Sequence, residues 1–296
     1  MTTSTSTNIG PDDGAQPPED PAARRVRIGE PIVRKSLIGR SRVEYAGRSA
    51  NLYVGCAHDC KYCYARPYSI RRRWVEDDAA WSIVRPVADM LDHIRRETKR
   101  RPERLGEVHL CFMTDLFMYD PETGDCHEEI ALDTLSAISA LNSAGVPVST
   151  LTKGVYPFDD VDWLHPQNRY GITVVSLNED FRAEWEPGAA PIRRRIESRE
   201  ALADDGMRTW VSIEPYPTPN IDPTAGNIIE LLENLPFVDE VVLGKMNYVT
   251  SATEYAKKHP EYYENVSVDA IRWCKENGRK LLIKNGTPHA GTYPVS

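Results

Sequence analysis

The sequence contains no run of 18 or more apolar residues, so no segment has the length and composition of a membrane-spanning helix. Its first residues, Met1-Thr-Thr-Ser-Thr-Ser-Thr, lack the basic-then-apolar order of a secretory leader. A cytoplasmic protein with no membrane partner is expected. A disulfide framework is also missing. Of six cysteines, three stand at 56, 60 and 63, while Cys111, Cys126 and Cys274 are scattered. Clustered thiols in a cytoplasmic chain point to metal or catalysis rather than bridges. Nor is there an excess of basic charge. The formal net charge of −8 argues against a tight, nonspecific grip on phosphates. Basic runs do occur at 71–73, 95–104 and 193–195, and each reads first as a solvated helix face. No G-x-G-x-x-G follows the first apolar strand, which lowers the case for a dinucleotide-binding sheet.

What is present suits one large domain: 296 residues, 41% hydrophobic and 27% charged. Residues 1–23 are rich in Thr, Ser, Pro, Asp and Gly. They cannot bury enough surface to offset their ordering entropy, and a disordered tail is expected. Residues 24–296 are expected to form one barrel domain, with 24–50 as an extended lead-in. From Leu52 onward, strand-length and helix-length segments alternate. Strands are expected at 52–54, 108–113, 146–151, 170–177, 207–213, 238–243 and 280–283. Helices are expected at 79–100, 128–144, 191–203, 225–234 and 266–276. The strand segments are apolar without clean alternation, as in a parallel sheet covered on both faces. Most end in polar groups: Thr114-Asp115, Lys153, Ser176, Glu214, Lys245 with Asn247, and Lys284. In an α/β barrel, full or partial, such ends converge on one mouth.

Asn51-Leu-Tyr-Val-Gly-Cys56-Ala-His-Asp-Cys60-Lys-Tyr-Cys63-Tyr-Ala-Arg66 is the most informative stretch. Its C-x3-C-x2-C spacing lets three thiolates face one iron–sulfur cube and leaves the fourth iron open to a small molecule. Gly55 allows tight backbone approach before the first thiol. Zinc, with His58 as fourth ligand, is the competing reading. Structural zinc wants four protein ligands, usually as two separated pairs, and no second pair follows.

The spacing, with an aromatic residue before the third cysteine, resembles the signature of the radical S-adenosylmethionine (SAM) superfamily. Lys35-Ser-Leu-Ile38, the cysteine string, Leu151-Thr-Lys153, Glu186-Pro187 and Pro191-Ile-Arg-Arg-Arg195 resemble segments of its spore photoproduct lyase-like branch. Ser212-Ile-Glu-Pro215 is similar to a segment of phage-type radical SAM relatives. The resemblance implies a partial (β/α)6-type, TIM-like α/β barrel. It implies a [4Fe-4S] cluster on Cys56, Cys60 and Cys63 that cleaves SAM to a 5′-deoxyadenosyl radical, which abstracts hydrogen from substrate. It places Tyr62 beside the adenine, Thr114 and Asp115 at the SAM amino group, Lys153 at the carboxylate, and Ser176 at the ribose or carboxylate. Glu214 would reach the ribose or the substrate. A flavodoxin- or ferredoxin-type electron donor is implied, and a nucleic acid or nucleotide substrate is favoured.

Lys245, Asn247 and Lys284 would suit an anionic substrate, since lysine serves as a point charge for phosphate. The lyase branch has a hydrogen-donating cysteine two residues before its Ser-Asp pair. Cys111 precedes Thr114 by three, so on a continuing strand it would face away, with Phe112 in the aligned place. The rival functions are a radical SAM catalyst on a small metabolite or natural product, and a non-catalytic metal-binding regulatory module.

Overall fold

The computed structural model describes residues 26–157 and 163–290. The expected tail at 1–23 lies outside the described residues. Eight strands form the main sheet: β1 (Ile38–Val43), β2 (Ala46–Ala50), β3 (Val108–Leu110), β4 (Val148–Thr152), β5 (Arg169–Thr173), β6 (Arg208–Tyr216), β7 (Glu240–Lys245) and β8 (Lys280–Ile283). They lie side by side in chain order. β1 pairs antiparallel with β2, and every later neighbour is parallel. β1 and β8 remain at opposite ends of the order, so the sheet curls without closing. The fold is an α/β half-barrel.

The parallel strands bury both faces. All five residues of β5 are buried, as are Val241, Val242 and Leu243 of β7. The returning helices supply the outer cover. In Glu128–Ser143 the buried set Ile130, Ala131, Thr134, Ala137, Ile138 and Leu141 follows helical spacing on one face. Glu128 and Glu129 sit at its positive N-terminal end, and Gly145, at φ 75°, ends it in the left-handed conformation.

Three expectations fail near the start. The segment 79–100 is not one helix. It divides into Asp78–Trp81, a strand Ile83–Pro86 and a helix Met90–Thr98. Pro86 cannot donate to a helix, and it biases Arg85 toward extended backbone. Ile83–Pro86 pairs with Arg27–Ile28 and Tyr53–Val54 in a separate three-stranded sheet. Tyr53–Val54 is therefore outside the barrel. The first parallel strand is β2, whose sequence Ala-Gly-Arg-Ser-Ala carries almost no hydrophobic signal. Residues 24–50 are thus more than a lead-in, because they contain the β1–β2 hairpin. Helices Ala65–Arg71, Glu179–Trp185 and Thr250–Lys258 were also not anticipated.

The hairpin tip spans the gap between the sheet's edges. Glu44 accepts a hydrogen bond from the Asn285 amide at 2.8 Å and pairs with Lys284 at 2.8 Å, both just past β8. Tyr45 packs its ring on His109, Phe112 and Trp210. Below it, Arg169 at the start of β5 bonds Glu107, Glu240 and the Tyr45 carbonyl. These contacts fill much of the interior, and a cavity opens near the strands' C-terminal ends. No described helix is long and apolar enough to cross a membrane.

Candidate active site

The cavity measures about 170 Å3, and all three clustered cysteines line it. The loop that carries them is held by backbone bonds to several segments. Gly55 donates to the Met113 carbonyl at 3.1 Å and Cys56 to that of Trp81 at 3.0 Å. Gly55 has φ 106°, and a Cβ there would stand 2.3 Å from the Ile83 oxygen. Only glycine fits. The Cys63 amide turns back to the Cys60 carbonyl at 3.1 Å. Gly188 donates to the His58 carbonyl at 3.0 Å, and a Cβ on it would meet the Ala57 oxygen at 2.3 Å.

Burial, with Glu186 adding to it, pushes the Cys60 thiol up to about 12 despite the nearby Lys153 ammonium. Burial, then Asp115 and the neighbouring thiols, raises Cys56 well above its usual value. Such thiols ionise only when a cation takes up their charge, as a metal ligand set requires. Among the described residues, no three His, Cys, Asp or Glu side chains gather tightly enough for a single ion. His58 is committed elsewhere: its Nε2 accepts from the Tyr119 amide at 3.1 Å, and its Nδ1 faces Asp115 at 3.4 Å.

Thr114, Asp115, Lys153, Glu214, Lys245 and Asn247 all line the same cavity, as does Tyr62. Their states differ. The Thr114 hydroxyl is buried without a partner, an open position for a polar ligand. Asp115 is 8% exposed and already taken by the chain itself. One oxygen accepts from the Phe117 amide and the Thr152 hydroxyl, the other from the Lys153 amide. Burial alone would raise this carboxyl. His58 and the hydrogen-bond donors outweigh it and hold the group down at about 2. Lys153 stays cationic: burial works against its charge, but Cys60, Glu186 and Asp115 together raise its pKa. Its Nζ lies 5.5 Å from the Tyr62 ring centroid.

Behind Tyr62 is a buried network that sequence reasoning did not assign. The Tyr62 hydroxyl donates to Glu186, which pairs with Arg195 at 2.6 Å. Arg195 also donates to the Ala190 and Thr173 carbonyls. The basic run 193–195 therefore divides. Arg195 is fully buried, while Arg193 pairs with Glu197 on the surface. The resemblance had marked Glu186 and Arg195 as motif positions, but only the fold shows that they back the Tyr62 ring.

Two expected site residues are placed otherwise. Ser176 lines a neighbouring cavity of about 250 Å3, where its hydroxyl donates to Asp222. Strand β5 ends at Thr173, so alternation no longer governs where Ser176 points. Lys284 is neutralised by Glu44 at 2.8 Å and Glu214 at 3.5 Å. The acidic hairpin tip that captures it was not legible as part of the site. Burial raises the Glu214 carboxyl despite Lys284. Gly244 makes room for this side chain, since a Cβ there would stand 2.8 Å from it.

Cys111 is a buried core residue, as expected, but it does not face away from the cavity. β3 ends at Leu110, and Asn51 captures the next amides, those of Phe112 and Met113. The two-residue alternation stops there. Cys111 and Phe112 both line the cavity, with the Cys111 sulfur 3.4 Å from the Thr114 carbonyl. Tyr45 and Tyr64 also reach this cavity without having been anticipated.

Comparison with known proteins gives the family and the fold. The family model for the radical SAM superfamily matches residues 50–232. The uncharacterized protein ORF301 of Acidianus two-tailed virus is 25% identical over 215 residues, covering 67% of this chain and 68% of its own. The uncharacterized protein MJ0683 of Methanocaldococcus jannaschii is 23% identical over 245 residues, covering 80% and 85%. Among solved structures, spore photoproduct lyase complexed with dinucleoside spore photoproduct superposes with a TM-score of 0.59 at 14% identity, over 95% of this chain and 88% of that one. A doubly substituted form of that lyase, with bound AdoMet and the same dinucleoside, gives 0.59 at 12% identity, over 92% and 87%.

Proposed function

We propose that this chain, which belongs to the radical SAM superfamily and is an enzyme of that class, holds its cluster on Cys56, Cys60 and Cys63 and acts on a nucleotide or nucleic acid. The observation that carries the reading is the shared cavity. Three thiols, that of Cys60 buried, line one space at the strand ends together with Thr114, whose hydroxyl has no partner, and Lys153, whose ammonium stays charged. That donor set fits the superfamily's [4Fe-4S] cluster and SAM. When bound, they supply an electron, a 5′-deoxyadenosyl radical and the abstraction of a substrate hydrogen.

The chain's own part is to bind, orient and keep the site dry. Thr114 Oγ1 is the group free to meet the SAM amino group. Asp115, with its acceptor sites filled from within, fixes the turn that carries Thr114. Lys153 is placed for the SAM carboxylate, and Tyr62 presents its ring to the adenine. Glu214, its carboxyl raised by burial, serves a ribose or substrate hydroxyl. Lys245, which forms no ion pair among the described residues, and Asn247 would hold a substrate anion. Cys111 puts a thiol hydrogen on the wall where a substrate radical would form. A flavodoxin- or ferredoxin-type donor would reduce the cluster.

The nucleotide reading draws support from the dinucleoside bound in the similar lyase. A small-metabolite substrate is the second reading. It is favoured by the −8 net charge and by the loss of Lys284 to Glu44. One experiment tests the function. The protein is reconstituted anaerobically with iron and sulfide and given SAM and dithionite. 5′-Deoxyadenosine is the expected product, and Cys60→Ala removes both cluster and product. A reconstituted protein that binds zinc, shows no cluster absorbance and forms no nucleoside refutes the proposal. Deuterium transfer from labelled oligonucleotides or metabolites into 5′-deoxyadenosine then separates the two substrate readings.

A further inference from the structure

We propose that His58 is a positioning residue for SAM, acting through Asp115 rather than as a cluster ligand. This rests on the reading of the cavity as a SAM site. His58 lies between the first two cysteines and is 1% exposed. Three contacts fix it. The Gly188 amide donates to its carbonyl at 3.0 Å. The Tyr119 amide donates to Nε2 at 3.1 Å. A backbone amide can only donate, so Nε2 is the acceptor and the neutral ring carries its proton on Nδ1. That Nδ1–H faces Asp115 Oδ2 at 3.4 Å.

Asp115 is the centre of a small knot. Its carboxylate has roughly four acceptor positions. The Phe117 amide, the Thr152 hydroxyl and the Lys153 amide fill three. The Nδ1–H of His58, 3.4 Å from Oδ2, stands nearest the fourth. The first belongs to the loop that follows β3, the second to the last residue of β4, and the third to the residue that carries the cavity's ammonium. His58 is the one contributor to this knot that belongs to the cysteine loop. It therefore sets the distance between the cluster's thiols and the two groups proposed to hold SAM, Thr114 and Lys153. A SAM molecule must bridge those two places at once. Loosening the link costs affinity through geometry even when every ligand remains.

The bland alternative is a buried histidine that merely fills space. Two isosteres separate the readings. Asn at 58 places an amide N–H where Nδ1 stands and keeps a donor to Asp115. Gln reaches the Nε2 position and abandons Asp115. His58→Asn, His58→Gln and His58→Ala are reconstituted beside the wild type. Iron content and the EPR signal of the reduced cluster are recorded first. SAM is then titrated, and the shift in the EPR signal gives its Kd.

All three variants are expected to carry a full cluster. The Asn variant should bind SAM within about threefold of the wild type, and the Gln and Ala variants should be weaker by about tenfold or more. Wild-type affinity in His58→Ala overturns the proposal, as does equal weakening in Asn and Gln. Loss of iron in every variant also overturns it, since His58 would then serve the cluster directly. If His58→Ala does not fold, the Asn and Gln pair decides. A wild-type protein that loads a cluster but shows no EPR response to SAM refutes the functional reading itself, which no variant result can do.

Discussion

Removing Arg195 should expose how strongly the buried network behind Tyr62 is balanced. Arg195 and Glu186 stand 2.6 Å apart with side chains 1% and 2% exposed. Taking one partner from such a pair leaves a buried charge short of compensation and costs about 3–5 kcal/mol. A domain holds only about 5–15 kcal/mol in total, so Arg195→Met should forfeit a large share. Glu186→Leu should cost a comparable amount. The double variant should cost clearly less than the sum, leaving a coupling of at least about 2 kcal/mol, because neither charge is stranded. Urea unfolding of the apo protein, followed anaerobically, measures each value.

The same variant carries a pH signature. Burial would raise the Glu186 carboxyl, but Arg195 first, then Lys153 and Tyr62, pull it below its ordinary 4.5. A depressed folded pKa gives stability that is present above the unfolded value and lost as pH falls through the folded one. In Arg195→Met the largest of those attractions is gone, and burial drives the folded pKa upward. Protonation then relieves the stranded charge. The destabilisation should be greatest near pH 7 and shrink as pH approaches about 5. A penalty under about 1 kcal/mol, additive single variants, or a penalty constant from pH 8 to 5 would refute the reasoning.

Three shorter predictions follow from the same geometry. Burial first, then the Arg169 charge, lowers the His109 imidazole to about 3. Its contribution is whole above the unfolded value near 6.5 and lost as pH falls toward 3. By pH 5 the loss should be about 2 kcal/mol, and His109→Asn should flatten that part of the urea-midpoint profile, whereas an unchanged slope would count against it. Ser176→Ala should leave the SAM Kd within about twofold, because the hydroxyl serves Asp222 in the other cavity, and a tenfold weakening would restore it to the SAM site. Lys245→Ala should leave cluster and SAM binding intact but raise the half-saturating concentration of an anionic substrate about tenfold, about 1.4 kcal/mol, and an effect that a neutral substrate analogue shows equally would refute the charge role.

The fold was legible where hydrophobic runs were long. β4, β6, β7 and β8 stand within a few residues of their expected places, because strands buried on both faces are apolar throughout. The opening strands were not legible, for an equally physical reason. β2 buries only the small residues Ala46, Ser49 and Ala50, so Ala-Gly-Arg-Ser-Ala reads as a loop. The segment 79–100 misled in the opposite sense. Val87, Met90, Leu91 and Ile94 do recur at helical spacing, yet Pro86 interrupts the backbone that would continue it.

The site shows the same division between position and state. Strand ends converge on one mouth in any such barrel, so Thr114, Asp115, Lys153, Glu214 and Lys245 could be collected from sequence alone. What each group has left to offer depends on partners far along the chain. Lys284 is matched by Glu44, 240 residues away, and loses its free charge there. Asp115 accepts from donors at 117, 152 and 153, has His58 facing it, and becomes an anchor. Thr114, its neighbour, has no partner and so is the hydroxyl open to a ligand. Two adjacent polar residues thus have opposite roles, and the distinction follows from counting acceptors and donors after folding. Cys111 follows the same rule. Its spacing from Thr114 would send it outward on an extended strand, but Asn51 ends the strand's regular path and the thiol enters the cavity.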